Sequence, residues 1–340
     1  MNKYITNTIE IKDGTALSKA KNDITMFLAE EKYIELPLKR FKNKIEKLIT
    51  SDYRIVRLLQ PVKKDDIVCL QYPTSLGPWF EKKFIEGVHK RGAKLIILIH
   101  DLDSLRFENS PQVIEEEISV IEMADCVISD NEHMSQLFIK HGVDKPIINL
   151  GIFDYFHSNE INEKKYSRTF INFAGNLNKS NFIFQLSGKT KLTINTFGMW
   201  DNKKKLPSYI KYNGLVNSEE LTNFLNVGYG LVWDGTSAHE VKGTYGEYMR
   251  INNPHKTSLY LSSGMPVIIW KNAALADFVL TNDVGITINS LDEIEGKLNE
   301  VSVEDYDKMA KNAKRISMKL RNGFFVKSAM KSAEKMLRNN

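Results

Sequence analysis

The sequence predicts an α/β protein built from two doubly wound halves, and three observations carry that expectation. Short β-branched runs alternate with longer helical patterns almost from end to end, as the βαβ units of parallel sheets require. One polar stretch, residues 157–167 (HSNEINEKKYS), has no apolar period and divides the series in two as a linker. The length of 340 residues suits two domains, each large enough for an ordinary core.

In the first half the clearest strands are 66–72 (DIVCLQY), 93–100 (AKLIILIH), 125–129 (DCVIS) and 146–150. Helices are expected over 79–91, closed by Gly92, over 111–124 with Ser110 as N-cap, and over 131–141, closed by Gly142. The second half repeats the pattern, with strands at 169–174 (TFINFA), 192–198, 210–213, 229–233 (YGLVW), 266–270 (PVIIW) and 284–288. Its helices are expected over 218–225, 254–263, 273–281 and 291–301. In the tail, Met309, Ala313, Ile316 and Leu320 recur at helical spacing, as do Val326, Met330, Ala333 and Leu337. That predicts two helices parted by Gly323, each with one apolar stripe and a basic opposite face.

With 42% hydrophobic and 26% charged residues the chain is globular, not disordered. Its net charge of +5 conceals a bias: residues 308–340 hold ten Lys/Arg and one acid, Glu334, so the tail carries +9 and the rest −4. A general nucleic-acid binder would line a whole face with cations, so that class is excluded in favour of one local basic surface. There is no long apolar window and no N-terminal apolar core, so neither a transmembrane helix nor a secretory signal is expected. Cys69 and Cys126 sit in apolar runs and read as buried reduced thiols, which suits the cytoplasm.

Loops after the carboxyl ends of parallel strands are where ligands bind. The densest polar cluster, residues 234–258 (DGTSAHEVKGTYGEYMRINNPHKTS), follows such a strand and runs into a helix with Asn253 as N-cap and Pro254 in its first turn. Free N–H groups there, with Lys256 and the hydroxyls of Thr257 and Ser258, form an anion site suited to a diphosphate. A merely capped helix with an exposed lysine would show the same letters. The loop Gly175-Asn176-Leu177-Asn178-Lys179-Ser180 offers close backbone approach and a second cation, although Gly-Asn after a strand also makes a plain turn. His100-Asp101-Leu102-Asp103 ends the strongest strand, where a carboxylate or imidazole can serve as general base or simply cap the next segment. The His-x-Asp spacing lacks the further ligands a metal needs, so no metal is expected. Asp13-Gly14-Thr15 is a candidate acceptor loop. No G-x-S-x-G motif is present, which disfavours covalent hydrolysis.

The run GLVWDG…GEYMRINNPHKTSLYLSSGMPVIIWKNAALADFV, with INFAGNLNKS before it and IHDLDSLR in the first half, resembles the bacterial β-1,6-galactofuranosyltransferases of surface-polysaccharide synthesis. More distantly it resembles the glucosyltransferase-3 family that extends sugars on serine-rich repeat adhesins. The resemblance implies a GT-B fold: two Rossmann-like doubly wound domains facing a cleft. Residues 1–160 would bind the acceptor and 161–305 the nucleotide sugar, and 306–340 would be basic helices packing back on the first domain. It implies UDP-galactofuranose or another UDP-hexose as donor, a lipid-linked or protein-linked saccharide as acceptor, and no metal or other cofactor. By position Lys256 and Lys179 are then the expected diphosphate contacts, and Gly175, Asn176 and Asn253, from the reading of the two loops, are expected in the same nucleotide-sugar site. An Arg stands at the position of Lys179 in the glucosyltransferase relatives, so a bidentate grip is not carried over. Asp234, Glu247 and Tyr248 are expected near nucleotide or sugar, Asp101 as the base with His100 or Asp103 as alternates, and Asp13, Gly14 and Thr15 at the acceptor. A UDP-glucose-dependent glucosyltransferase and a non-catalytic nucleotide-sugar-binding subunit are the competing readings. The basic tail is either a solvated helix face or, with Lys39, Arg40, Lys42, Lys44 and Lys47, a contact for anionic membrane on the cytoplasmic side. The oligomeric state stays open, a homo-oligomer included.

Overall fold

The computed structural model describes residues 1–9, 16–108, 110–201 and 205–339. The chain forms two compact units, residues 1–154 with 323–340 and residues 155–322. The first is built on six strands, β1 (Lys3–Ile9), β2 (Tyr33–Lys39), β3 (Ile67–Tyr72), β4 (Lys94–Ile99), β5 (Cys126–Ser129) and β6 (Ile147–Asn149). They lie in the order β2-β1-β3-β4-β5-β6, and each pairing is parallel. Helix α1 (Ala16–Glu30) carries the chain one way along the sheet, from β1 to β2. Helices α2 (Lys44–Leu58), α3 (Pro78–His89), α4 (Pro111–Ile121) and α5 (Glu132–Lys140) carry it the other way. Right-handed crossovers therefore put α1 on one face and α2 to α5 on the opposite face. The two edge-side strands were not among the clearest in the sequence for a physical reason. Thr6 and Thr8 interrupt the apolar run of β1, and Pro37 interrupts β2, which tolerates it as an edge strand. Cys69 and Cys126 are buried thiols on β3 and β5.

The second unit is built on β7 (Phe170–Ala174), β8 (Thr193–Phe197), β9 (Ile210–Tyr212), β10 (Tyr229–Val232), β11 (Val267–Trp270) and β12 (Gly285–Ile288). These are parallel neighbours in the order β12-β11-β10-β7-β8-β9. Its helices are α6 (Ser218–Leu221), α7 (Thr244–Tyr248), α8 (His255–Ser262), α9 (Ala276–Thr281), α10 (Ile294–Glu300) and α11 (Val303–Arg321). Several expected helices shorten: α6 passes into a tight turn over Thr222–Phe224, α9 starts at Ala276 and α10 follows a tight turn over Leu291–Glu293. The stretch expected to be a linker has almost no regular structure but is anchored to this unit. His157 is buried and donates from Nε2 to the Ser262 carbonyl at 2.9 Å, and Asn159 donates to Glu219 O and Thr222 Oγ1 at 2.6 and 2.8 Å. A capping box of Ser302 and Asp305 starts α11. Among the described residues no helix is long and apolar enough to cross a membrane.

The last helix, α12 (Phe324–Asn339), belongs to the first unit, where it packs against α1, β5 and β6. It begins after Gly323, whose φ of +67° and closeness to Phe27 admit no side chain: a Cβ would lie 2.4 Å from Phe27 Cγ. The buried carboxylate of Asp154 accepts from Phe325 N at 3.2 Å and Val326 N at 2.7 Å, so the residue that ends the first segment caps the returning helix. Burial pushes this carboxyl up to about 7, against the opposing pull of the two N–H groups and Lys327. A carboxyl raised by folding contributes stability that is complete below its ordinary range, near 4, and is lost as pH rises through about 7. Denaturant unfolding at pH 5 and pH 8 should accordingly show the native chain losing about 2 kcal/mol more than Asp154→Asn over that interval. Identical pH profiles would contradict this.

Candidate functional site

In the second sheet the chain leaves β7 towards β8 and β9 on one side and later resumes at β10 on the other. The carboxyl ends of β7 and β10 are thus the switch point, where doubly wound sheets open a ligand crevice. The loop after β7 is residues 175–180 and the loop after β10 begins at Trp233, the two segments singled out in the sequence. The first is a tight turn: Lys179 N donates to Asn176 O at 3.0 Å, and Ser180 Oγ donates to the same carbonyl at 3.0 Å. Its base is pinned to the end of β8, because Gly175 N donates to Phe197 O at 2.9 Å and a Cβ at Gly198 would come within 1.9 Å of Gly175 O.

Helix α8 is locked over this switch point by Tyr260. The ring packs on Gly230 of β10 so closely that a Cβ there would lie 2.1 Å from Tyr260 Cγ. The phenolic oxygen accepts from Ala174 N, at the end of β7, at 2.8 Å. One side chain therefore ties the helix to both strands that border the crevice. The start of α8 differs from expectation by one residue: Pro254, not Asn253, is the N-cap, and Asn253 is a buried residue preceding it. Proline's ring carries no acceptor, so the N-cap residue gives the helix no side-chain cap, and the positive end of a helix favours an anion. Lys256, in the first turn, runs its stem against Gly175, whose Cβ would lie 3.3 Å from Lys256 Cε, and sets Nζ 3.6 Å from Asp234 Oδ2. Asp234 is held in turn by Gly235 N, 2.9 Å from Oδ1.

Gly175, Asp234 and Lys256 thus come together. Lys179 is exposed, its Nζ 5.8 Å above the Tyr245 ring centroid. Thr257 and Ser258 are buried in the helix instead of lining its mouth, and Thr257 Oγ1 has no hydrogen-bond partner among the described residues. Glu247 is exposed and accepts from Arg250 Nε at 2.7 Å, while the Tyr248 ring is buried. Sequence reasoning missed Tyr260 and Gly230, which looked like ordinary helix and strand residues.

In the first unit the switch point lies between β1 and β3. Asp13, Gly14 and Thr15 lie outside the described residues. At the ends of β3 and β4, Gln71 Nε2 donates to Thr6 O at 2.7 Å and Thr25 Oγ1 at 3.0 Å, which turns its Oε1 to His100 Nε2 at 2.9 Å. His100 is buried, stacked on Phe153, and carries its proton on Nε2 towards Gln71. Asp101 is largely buried and ion-paired with Arg106 at 2.6 Å, while Asp103 is exposed. Glu117 on α4 fixes this loop, accepting from Asp103 N at 3.2 Å, Ser104 N at 3.1 Å, Ser104 Oγ, and Tyr72 OH at 3.1 Å. Burial holds Glu117 above the usual carboxylate range despite these donors. Gln71, Arg106 and Glu117 had no sequence signal: Glu117 is one of three consecutive glutamates on α4.

Because Tyr260 sets the position of α8, Gly230→Ala should lower unfolding stability by about 1–3 kcal/mol and weaken anion binding at Lys256. Unchanged stability would refute the Tyr260 lock.

Residues 2–152 match the family described as glucosyltransferase 3-like, N-terminal domain, and residues 171–333 match its C-terminal domain. The chain is 28% identical over 329 residues to the β-1,6-galactofuranosyltransferase WbbI of Escherichia coli, covering 96% of this chain and 97% of that one. It is 26% identical over 333 residues to glucosyltransferase 3 of Streptococcus gordonii, covering 97% of each. Among solved structures it is similar to a sucrose-phosphate synthase from Thermosynechococcus elongatus (TM-score 0.65, 12% identity, 99% and 100% of the two chains). It is also similar to Anabaena HepE in complex with UDP-glucose (TM-score 0.62, 12% identity, 98% and 99%). The fold is that of the GT-B glycosyltransferases, and with both domain matches spanning nearly all of its length the chain belongs to the glucosyltransferase 3-like family.

Proposed function

We propose that this chain is a UDP-sugar-dependent glycosyltransferase that moves galactofuranose to a sugar hydroxyl, forming an inverted β-1,6 linkage in cell-surface polysaccharide synthesis. The observation that carries the nucleotide-sugar reading is the meeting of Lys256, Gly175 and the start of α8 at the switch point of the second sheet. A helix N-terminus and an adjacent ammonium make a diphosphate site, and glycine lets the backbone approach it. The choice of galactofuranose is supported by the similarity to WbbI over nearly the whole chain.

In this reading the acceptor oxygen attacks C1 of the donor sugar as the bond from C1 to the diphosphate oxygen breaks. UDP leaves with the bonding electron pair. Lys256, Lys179 and the α8 N–H groups take up the charge that grows on the diphosphate, a role they fill without a metal. Asp234, released from Lys256 by the incoming diphosphate, turns to sugar or ribose hydroxyls, with Glu247 and Tyr248 beside the nucleotide sugar. Asp101 accepts the hydroxyl proton, oriented by Arg106, and the loop carrying it is fixed by Glu117. UDP-sugar chemistry and the reduced thiols of Cys69 and Cys126 suit a cytoplasmic enzyme. A second reading, glucose transfer from UDP-glucose to a protein-linked glycan, is favoured by the family match and the similarity to glucosyltransferase 3.

Turnover with a panel of UDP-hexoses, including UDP-galactofuranose regenerated by a mutase, separates the readings. Transfer from UDP-galactofuranose is expected; transfer from UDP-glucose alone selects the second reading, and UDP binding without turnover of any donor makes the chain a non-catalytic subunit. Asp101→Asn should reduce kcat by about 100-fold or more with UDP affinity intact. Unaltered turnover would remove Asp101 from the mechanism.

A further inference from the structure

Helix α2 carries five large apolar side chains turned to solvent. Ile45, Leu48, Ile49, Tyr53 and Val56 are 70, 73, 73, 66 and 60% exposed, and their spacing places them along one stripe. The exposure does not come from fraying. Asn43 Oδ1 caps the helix by accepting from Glu46 N at 2.8 Å, and Glu46 is also paired with Arg54, whose guanidinium lies 4.5 Å from the Phe41 ring centroid. The inner edge of α2 is seated on α3, where a Cβ at Gly87 would meet Leu59 Cδ1 at 2.9 Å and Ile55 Cγ2 at 3.2 Å.

The surroundings of the stripe are basic. Residues 39–58 contain seven Lys/Arg and two acids, Glu46 and Asp52, a net charge of +5. Both acids are engaged, Glu46 with Arg54 and Asp52 with Lys83 at 2.6 Å. Lys83 also lies 4.3 Å from the centroid of Trp79, which is itself partly exposed at the start of α3. Apolar side chains flanked by cations and an amphipathic aromatic are the composition of a helix that lies in the headgroup region of a bilayer. A second copy meeting this one through the same stripe would set +5 against +5, whereas an anionic surface is complementary.

We infer that the α2 stripe, with its fringe of Lys39, Arg40, Lys42, Lys44, Lys47 and Arg57, is a docking surface for an anionic lipid bilayer. It is preferred to α12, the part of the basic tail that belongs to the same unit. α12 packs with α1 on the opposite face of the sheet from α2, and three of its four cations are paired within the fold: Lys327 with Glu30, Lys331 with Glu31 and Arg338 with Glu334. The inference is independent of which sugar the donor carries.

The test is co-sedimentation of the full chain with phosphatidylglycerol/phosphatidylcholine vesicles, with phosphatidylcholine vesicles as the neutral arm, at low and high salt. The chain should pellet with the anionic vesicles only, and less so as salt rises. The triple variant Ile45→Ser, Leu48→Ser, Ile49→Ser should bind them about tenfold more weakly while keeping Tm, UDP affinity and light-scattering mass, since all three sites are exposed. A chain that stays in the supernatant with anionic vesicles at low salt overturns the proposal, as does a triple variant that pellets like the native chain. A native dimer that the triple variant converts to monomer, without vesicle binding, assigns the stripe to a second copy instead.

Discussion

Tyr260 spans the two strands that border the switch point of the second sheet, resting on Gly230 of β10 while its hydroxyl accepts from the last N–H of β7. That contact fixes α8 against the two strand ends. The position of the helix start in turn brings Lys256 over Gly175 and beside Asp234. Strand order alone would have opened a crevice here. It would not have supplied a cation at a defined height above it. A glycine under the ring is the steric condition for the arrangement, since any Cβ at position 230 would occupy the volume of the phenol. The hydroxyl is the polar condition, since losing it would leave a buried N–H unsatisfied.

The first unit solves the same problem with buried polar side chains instead of close packing. Gln71 turns His100 inward, and Glu117 gathers the backbone of the loop that carries Asp101. Burial raises Glu117 and also Glu81, which accepts from Thr74 N and Oγ1 at 2.7 Å each. These carboxyls work as anchors. His100, with Nε2 committed to Gln71 and its ring against Phe153, is placed as an anchor too, while the Asp101 carboxylate is held by Arg106.

The parallel-strand rhythm, the division into halves and the loops at 175–180 and 234–258 were legible because β-branched runs and glycine-rich strand ends have local signatures. Strands with Thr or Pro inside them, β1 and the edge strand β2, were less so. The N-cap was misplaced by one residue because Asn253 and Pro254 both suit a helix start, and only the backbone shows which of them ends it. Glu117 could not be told from its two neighbouring glutamates, nor Tyr260 from the leucines beside it, because their roles depend on what lies across the fold. The charge of the tail was visible, but not its division between units or its pairing with Glu30 and Glu31.

Calorimetric titration of UDP and of uridine into the native chain and Lys256→Met tests the central claim most directly. If the start of α8 holds a diphosphate, UDP binds the native chain about 100-fold more tightly than uridine, and loss of Lys256 narrows that ratio by tenfold or more, the size of one charge-assisted contact. An unchanged ratio in Lys256→Met would place the diphosphate elsewhere and contradict the account.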